Sequence, residues 1–213
     1  MLESIYIKTR EFLNKALGKF RRHKLLNQNF TIISNNCWAG HVYRFFGLPY
    51  QTPTIGLYFF SEDYLKFVFN LKYYLSQDLV FISYKNSKYR RILEERGGEN
   101  IRCPIGVLGD IEIIFLHYKS CQEASEKWNR RKERIIWDNI FIKFSQQNLC
   151  SEGLIRKYDT LPIKNKIIFV TRDYKIKSQI IFSKYKNHNE VANDITYFRK
   201  YVDLISWINQ TNI

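Results

Sequence analysis

Beyond residue 27 the chain alternates strand-length apolar runs with polar, helix-patterned stretches. Phe30–Ser34, Thr54–Phe60, Leu79–Tyr84, Asp110–Tyr118, Asn139–Ser145, Lys166–Thr171 and Gln179–Ser183 have the length and the β-branched or aromatic content of strands. "DIEIIFLHY", residues 110 to 118, is the clearest of them. Between the runs, Glu62 to about Leu75 repeats Leu65, Val68, Phe69, Lys72 and Tyr73 at helical spacing, with Ser61 placed to cap it. Ser120 followed by Glu123 forms a capping box ahead of "CQEASEKWNRRKERI". Ser151 opens a short helix to Asp159, and Ile195–Asn209 closes the chain as a helix. Lys85–Arg102, with Gly97 and Gly98, reads as a polar, irregular excursion, and "GVLGD" (Gly106 to Asp110) as a turn that lacks the dinucleotide fingerprint.

Strands alternating with helices imply βαβ units. The expected fold is therefore α/β, a three-layer, mostly parallel Rossmann-like sheet with helices on both faces. Residues 1–26 stand apart as a basic amphipathic helix. Ile5, Phe12, Leu13, Ala16, Leu17 and Phe20 lie on one stripe, and Lys8, Arg10, Lys15, Lys19, Arg21, Arg22 and Lys24 surround it. Such a helix suits peripheral contact with an anionic membrane, although docking on its own domain or on a second subunit is the commoner use of such a stripe. No Pro/Gly/Ser-rich linker divides the remainder, so residues 27–213 are expected to form a single α/β domain.

Composition narrows the function. A formal net charge of +14, from 34 Lys+Arg against 20 Asp+Glu, favours polyanionic or phosphorylated partners, but the charge is dispersed and also fits a lysine-rich surface of no special purpose. The helix "EKWNRRKERIIWDN" offers Arg130, Arg131, Arg134 and Trp128 to nucleic acid, yet Glu123, Glu126 and Glu133 at helical spacing can neutralise it, so nucleic acid is disfavoured. Cys37, Cys103, Cys121 and Cys150 are too widely spaced for a structural zinc site or a disulfide framework. No metal and no cofactor is expected. Without an apolar leader or a run of membrane-spanning length, the expected location is cytoplasmic, with the inner membrane face within reach of the basic helix.

Ligands of parallel sheets bind outside the carboxyl ends of the strands. There the sequence delivers Ser34, Asn35, Asn36, Cys37 and Trp38 after the first strand. Lys119 and His117 follow "DIEIIFL", Gln147 and Asn148 follow "NIFIKF", and Arg172 and Asp173 follow "KIIFV". Amides supply both donors and acceptors for hydroxyls, Trp38 can cover an apolar sugar face, and Lys119 and Arg172 can meet phosphate. His117 and Asp173 are the candidate bases. Each loop taken alone reads better as a set of turns and caps, and it is the coincidence over four loops that points to a site. Cys37 with His41 or His117 would make a nucleophile and base, but a lone cysteine beside tryptophan is more often a small buried hydrophobe.

Four segments, "FTIISNNCWAGHVYRFFGLPYQTPTIGLYF", "CPIGVLGDIEIIFLHYKS", "EKWNRRKERIIWDNIFIKFSQQN" and "YDTLPIKNKIIF", together resemble an uncharacterised bacterial family classed as a domain of unknown function. Its members are often labelled exopolysaccharide biosynthesis proteins. The resemblance runs from about Phe30 to about Trp207 and leaves the basic helix largely outside. Ala39 departs from the "CWGG" form, so the backbone there does not require a positive φ. The resemblance implies a compact α/β domain associated with surface polysaccharide or capsule production, and carries no catalytic residue. Combined with the amide-rich rim, and with no D-x-D pair in the chain, it leads to the expectation of a metal-independent glycosyl or related group transferase acting on a sugar or nucleotide-sugar. The alternative is a non-catalytic carbohydrate-binding or assembly protein of the same pathway.

Overall fold

A computed structural model describes residues 17–97 and 103–210. The first sixteen residues of the expected basic helix, and Gly98–Arg102 of the polar excursion, lie outside the described residues. Residues 17–22 are helical.

Four strands form a parallel sheet in the order β1 (Thr31–Ser34), β5 (Ile140–Ser145), β6 (Lys166–Val170), β7 (Gln179–Ile181). The side-chain period of two divides β1, β5 and β6 between two cores. Ile33, Ile142, Phe144, Ile168 and Val170 enter one core; Ile32, Phe141, Ile167 and Phe169 enter the other. The first core is completed by α2 (Ser61–Phe69), α3 (Leu71–Ser76), α5 (Cys121–Lys132) and α6 (Glu152–Asp159). The second is completed by α1 (Trp38–Phe46), Leu25, and the C-terminal α7 (Asp194–Tyr197) and α8 (Leu204–Asn209) with the turn between them. The α/β class and the mostly parallel sheet thus agree with the sequence.

A second sheet departs from expectation. β2 (Val80–Ile82), β3 (Ile105–Leu108) and β4 (Ile111–Ile114) pair antiparallel, so "DIEIIFLHY" is not a strand of the parallel sheet. The cause lies in "GVLGD". Leu108 pairs with Ile111, and Gly109 takes φ +59, which lets the chain reverse in two residues. The stretch expected as a turn is therefore mostly strand β3. The antiparallel sheet shares the first core with the parallel one through Leu108, Ile111 and Ile113.

Other differences have local causes. Thr54–Phe60 is no strand: only Tyr58 bridges Ile114, while the Phe59 N–H goes to the Asn35 carbonyl (2.9 Å), so its backbone is divided between two partners. Ser61 does not cap α2, because its hydroxyl donates to the Gln147 carbonyl (2.5 Å) and Phe60 takes the cap position. The expected helix through Leu75 breaks at Asn70. Within the polar excursion, α4 (Arg90–Gly97) forms after all, anchored by Leu93 against Phe60, Ile105 and Ile114 and by an Arg90–Glu94 pair one turn apart. The closing helix is interrupted because Asp203 accepts from Ile205 N, Ser206 N and Ser206 Oγ and starts α8 afresh. Ser120 and Ser151 cap α5 and α6 as read from the sequence.

Candidate functional site at the carboxyl edge

The ends of β1 and β5 meet through side chains. Asn35 exchanges two hydrogen bonds with the Ser145 backbone (3.0 and 3.1 Å). Ser34 Oγ donates to the Asn36 carbonyl (2.6 Å) and accepts from Ala39 N (3.2 Å), so it holds the entrance to α1. Asn36 is the hub. Its amide donates to Gln147 Oε1 and Asp194 Oδ2 (2.9 Å each), and its oxygen accepts from Trp38 N (3.1 Å) and Lys143 Nζ (3.0 Å). Both donors and both lone pairs of Asn36 are thereby used.

Behind the hub lies an ion pair that sequence reasoning missed. Lys143, in the centre of β5 and wholly buried, donates to Asp194, which is also buried and also accepts from Ser145 Oγ (2.5 Å). The Lys143 ammonium lies 4.9 Å from the Phe169 ring and 5.5 Å from that of Trp38. Burial pulls Lys143 below its ordinary value, and Asp194 offsets this only in part. Burial pushes Asp194 up, but Lys143 and the hydrogen bonds from Ser145 and Asn36 outweigh it and hold the carboxyl below the usual range. Removing two charges from water is costly, and a hydrophobic pair of the same volume would often serve stability as well.

On the outer side of this network Gln147 and Asn148 are partly exposed, while Gln146 is buried. Gln147 passes its amide to the Val191 carbonyl, and Gln146 joins Thr171 N (3.0 Å), Tyr174 Oη and the Asn189 carbonyl (2.9 Å each). Asn148 accepts from Arg96 (2.7 Å) and donates to the Phe59 carbonyl (3.3 Å). Asn148 and Leu149 have φ of +53 and +66, a left-handed conformation that costs a residue with a Cβ about 1–2 kcal/mol.

The remaining sequence-predicted residues are dispersed. Trp38 is wholly buried, edge-on to Phe169, Phe198 and Trp207. His117 is exposed beyond β4, its backbone N–H bound to the Gly56 carbonyl (3.0 Å). Lys119 is exposed at the entrance to α5, where its N–H meets Glu123 Oε2 (2.9 Å). Arg172 and Asp173 are exposed after β6. Arg172 lies 3.9 Å from Glu152, and Asp173 binds Lys175 and Gln179, contacts that pull its carboxyl down to about 2. Asp173 is therefore fully ionised at neutral pH and a weak base. Among the described residues, no three metal-ligating side chains come together.

Cys37, half-buried, sits between the hub and the 55–57 segment, its thiol 3.7 Å from the Leu57 carbonyl. Burial, then the charge of Asp194, raises it to about 11, and burial raises Cys150 to about 12. Neutral alkylation is thus expected to label exposed Cys121 first, with the rate at Cys37 climbing about tenfold per pH unit toward pH 11. Peptide mass spectrometry reads both. Rapid labelling of Cys37 at pH 7 would restore it as a nucleophile.

A family model described as Domain of unknown function (DUF1919) matches residues 8–209. The chain belongs to this family. The DUF1919 match begins well before Phe30, so most of the basic N-terminal stretch, expected to fall outside, is part of the family's sequence. A Haemophilus influenzae protein, itself described as uncharacterized, is 34% identical over 209 residues, spanning 95% of this DUF1919 chain and 92% of its own length. Among the described residues, no helix is long and apolar enough to cross a membrane.

Proposed function

We propose that the carboxyl edge of the parallel sheet, on a three-layer Rossmann-like scaffold, binds a sugar or nucleotide-sugar. On this reading the protein is a cytoplasmic, metal-independent glycosyl or related group transferase of bacterial exopolysaccharide or capsule biosynthesis. The observation that carries the proposal is the buried Lys143–Asp194 pair, tied through Asn36 to partly exposed Gln147. A charged network of this kind is poorly accounted for by stability, and perturbed buried groups cluster at functional sites. It fixes the orientation of amides in advance, so that little ordering is left for the ligand to induce.

The saturated groups divide the roles. Ser34, Asn35 and Asn36 position the rim, while Gln147, Asn148 and Cys37 present atoms to the ligand. Arg172, exposed just after β6 at the same sheet edge, serves a phosphate that extends outward. The second reading, a non-catalytic carbohydrate-binding or assembly protein, is favoured by one observation. Asp173 is engaged with Lys175 and Gln179 rather than with the amide network.

Thermal shift against nucleotide-sugars, free nucleotides and oligosaccharides, with and without divalent metal, tests both. A ligand at a hundredfold excess over its Kd adds about 2.7 kcal/mol. For a chain of this size that raises Tm by about 5–10 °C. The transferase predicts a metal-independent shift with one nucleotide-sugar, lost in Gln147→Ala and in Asn148→Gly, which keeps the left-handed backbone and removes the amide. A shift with oligosaccharide alone assigns the binding protein. Silence from every sugar and nucleotide rejects the site.

A further inference from the structure

The helical turn at residues 17–22 and the chain that follows it are fastened to the body by a few specific contacts. Gly18 packs on Gly47 so closely that a Cβ there would stand 2.9 Å from the Gly47 nitrogen. Arg22 donates to the Gly47 carbonyl (2.9 Å) and Arg21 to that of Phe45 (3.2 Å). Leu25 is buried in the second core, and Asn209 of α8 grips both the Lys24 carbonyl and the Leu26 N–H (2.9 Å each). These contacts fix which side faces outward.

That side is apolar and cationic together. Leu17, Phe20 and Leu26 are 42%, 65% and 72% exposed. Lys19, Arg21, Arg22 and Lys24 lie in the same segment, which holds no carboxylate between residues 17 and 26. A second stretch of chain, far off in sequence, extends the patch. The Arg21 and Arg199 guanidiniums lie 4.1 and 5.8 Å from the same Phe45 ring, and Arg199, Lys200 and Phe45 line a cleft of about 420 Å³. The carboxylate of that cleft, Asp203, is occupied as the cap of α8.

We propose that this face, Leu17, Phe20 and Leu26 with exposed Lys19, Lys24, Arg199 and Lys200, docks the protein on an anionic lipid surface. The pairing of aliphatic and aromatic side chains with cations matches a bilayer interface, where acyl chains meet phosphate headgroups. A second copy fits poorly, since a two-fold contact would set the same cations against themselves. A free phosphate would use the cations and leave Leu17 and Leu26 in water. The net charge of +14 draws the whole molecule toward such a surface. The inference stands whether or not the carboxyl edge binds sugar.

Co-sedimentation of the full chain with phosphatidylcholine vesicles, with and without phosphatidylglycerol, tests it. Binding is expected only to the anionic vesicles, weakening as salt rises. Phe20→Ser is expected to reduce it at least about tenfold, and Arg199→Gln or Lys200→Gln about fivefold each. These side chains face solvent, so unchanged thermal melts verify that each variant folds. Equal binding to both vesicle types, no binding to either, or anionic binding that Phe20→Ser and Arg199→Gln leave intact would overturn the proposal. So would a lipid-free dimer that Phe20→Ser abolishes, which assigns the face to a second copy.

Discussion

Replacing Lys143 with methionine is expected to lower the stability of the fold by about 3–5 kcal/mol, because it strands a buried carboxylate. In the natural protein Asp194 is held below the usual carboxylate range. Such a group stabilises above its unfolded value of about 3.9, and that contribution is lost as the pH falls through the folded value. Without Lys143, burial acts with no ammonium to oppose it, and the folded value rises above the unfolded one. The sign then reverses: Asp194 destabilises at neutral pH and ceases to do so below about pH 4, where it is protonated in both states. The deficit of Lys143→Met should therefore be greatest near neutrality and shrink on acidification. Urea denaturation at stepped pH measures this. A deficit under about 1 kcal/mol, typical of an exposed pair, or one independent of pH would show the pair to be expendable. Coupling Lys143→Met with Asp194→Leu should recover part of the loss, since no lone charge then remains.

Trp38→Ala is expected to cost about 3–5 kcal/mol, the range for emptying a large aromatic site. Trp38 has ring centroids 5.6, 5.4 and 5.7 Å from those of Phe169, Phe198 and Trp207, so its loss opens the second core between α1 and the C-terminal segments. The milder Trp38→Phe separates packing from binding. It should lower Tm and leave any sugar-induced shift intact. A variant of unchanged Tm that loses the sugar response would return Trp38 to the ligand.

Apolar runs of strand length exposed β1, β5, β6 and β7, and serine caps exposed the starts of α5 and α6, because these features depend on neighbours in sequence. The antiparallel sheet was hidden by a lone glycine. Gly109 reverses the chain, and nothing in "DIEIIF" itself says whether its partner lies alongside or across. At the rim, the amides after β1 and β5 were legible as a cluster, but not the division between those saturated by protein and those left partly exposed. Lys143 did carry a signal, a charge inside an apolar strand whose two faces are both covered, which must be paired. Its partner Asp194 lies 51 positions away in a polar stretch that resembles any other loop.

The pairing of β1 with β5 bears on how the chain reaches this state. Asn35 and Ser145, which join the two strand ends, are 110 positions apart, and the antiparallel sheet together with α1 to α5 lies between them. A contact this distant closes late, since a long loop must be ordered before the pairing compensates it. The hairpin of β3 and β4 closes locally, whereas β1 waits with an unpaired edge until β5 arrives. On the ribosome, β1 therefore emerges long before the strand that completes it, and for that interval the nascent chain offers its apolar edge to other chains.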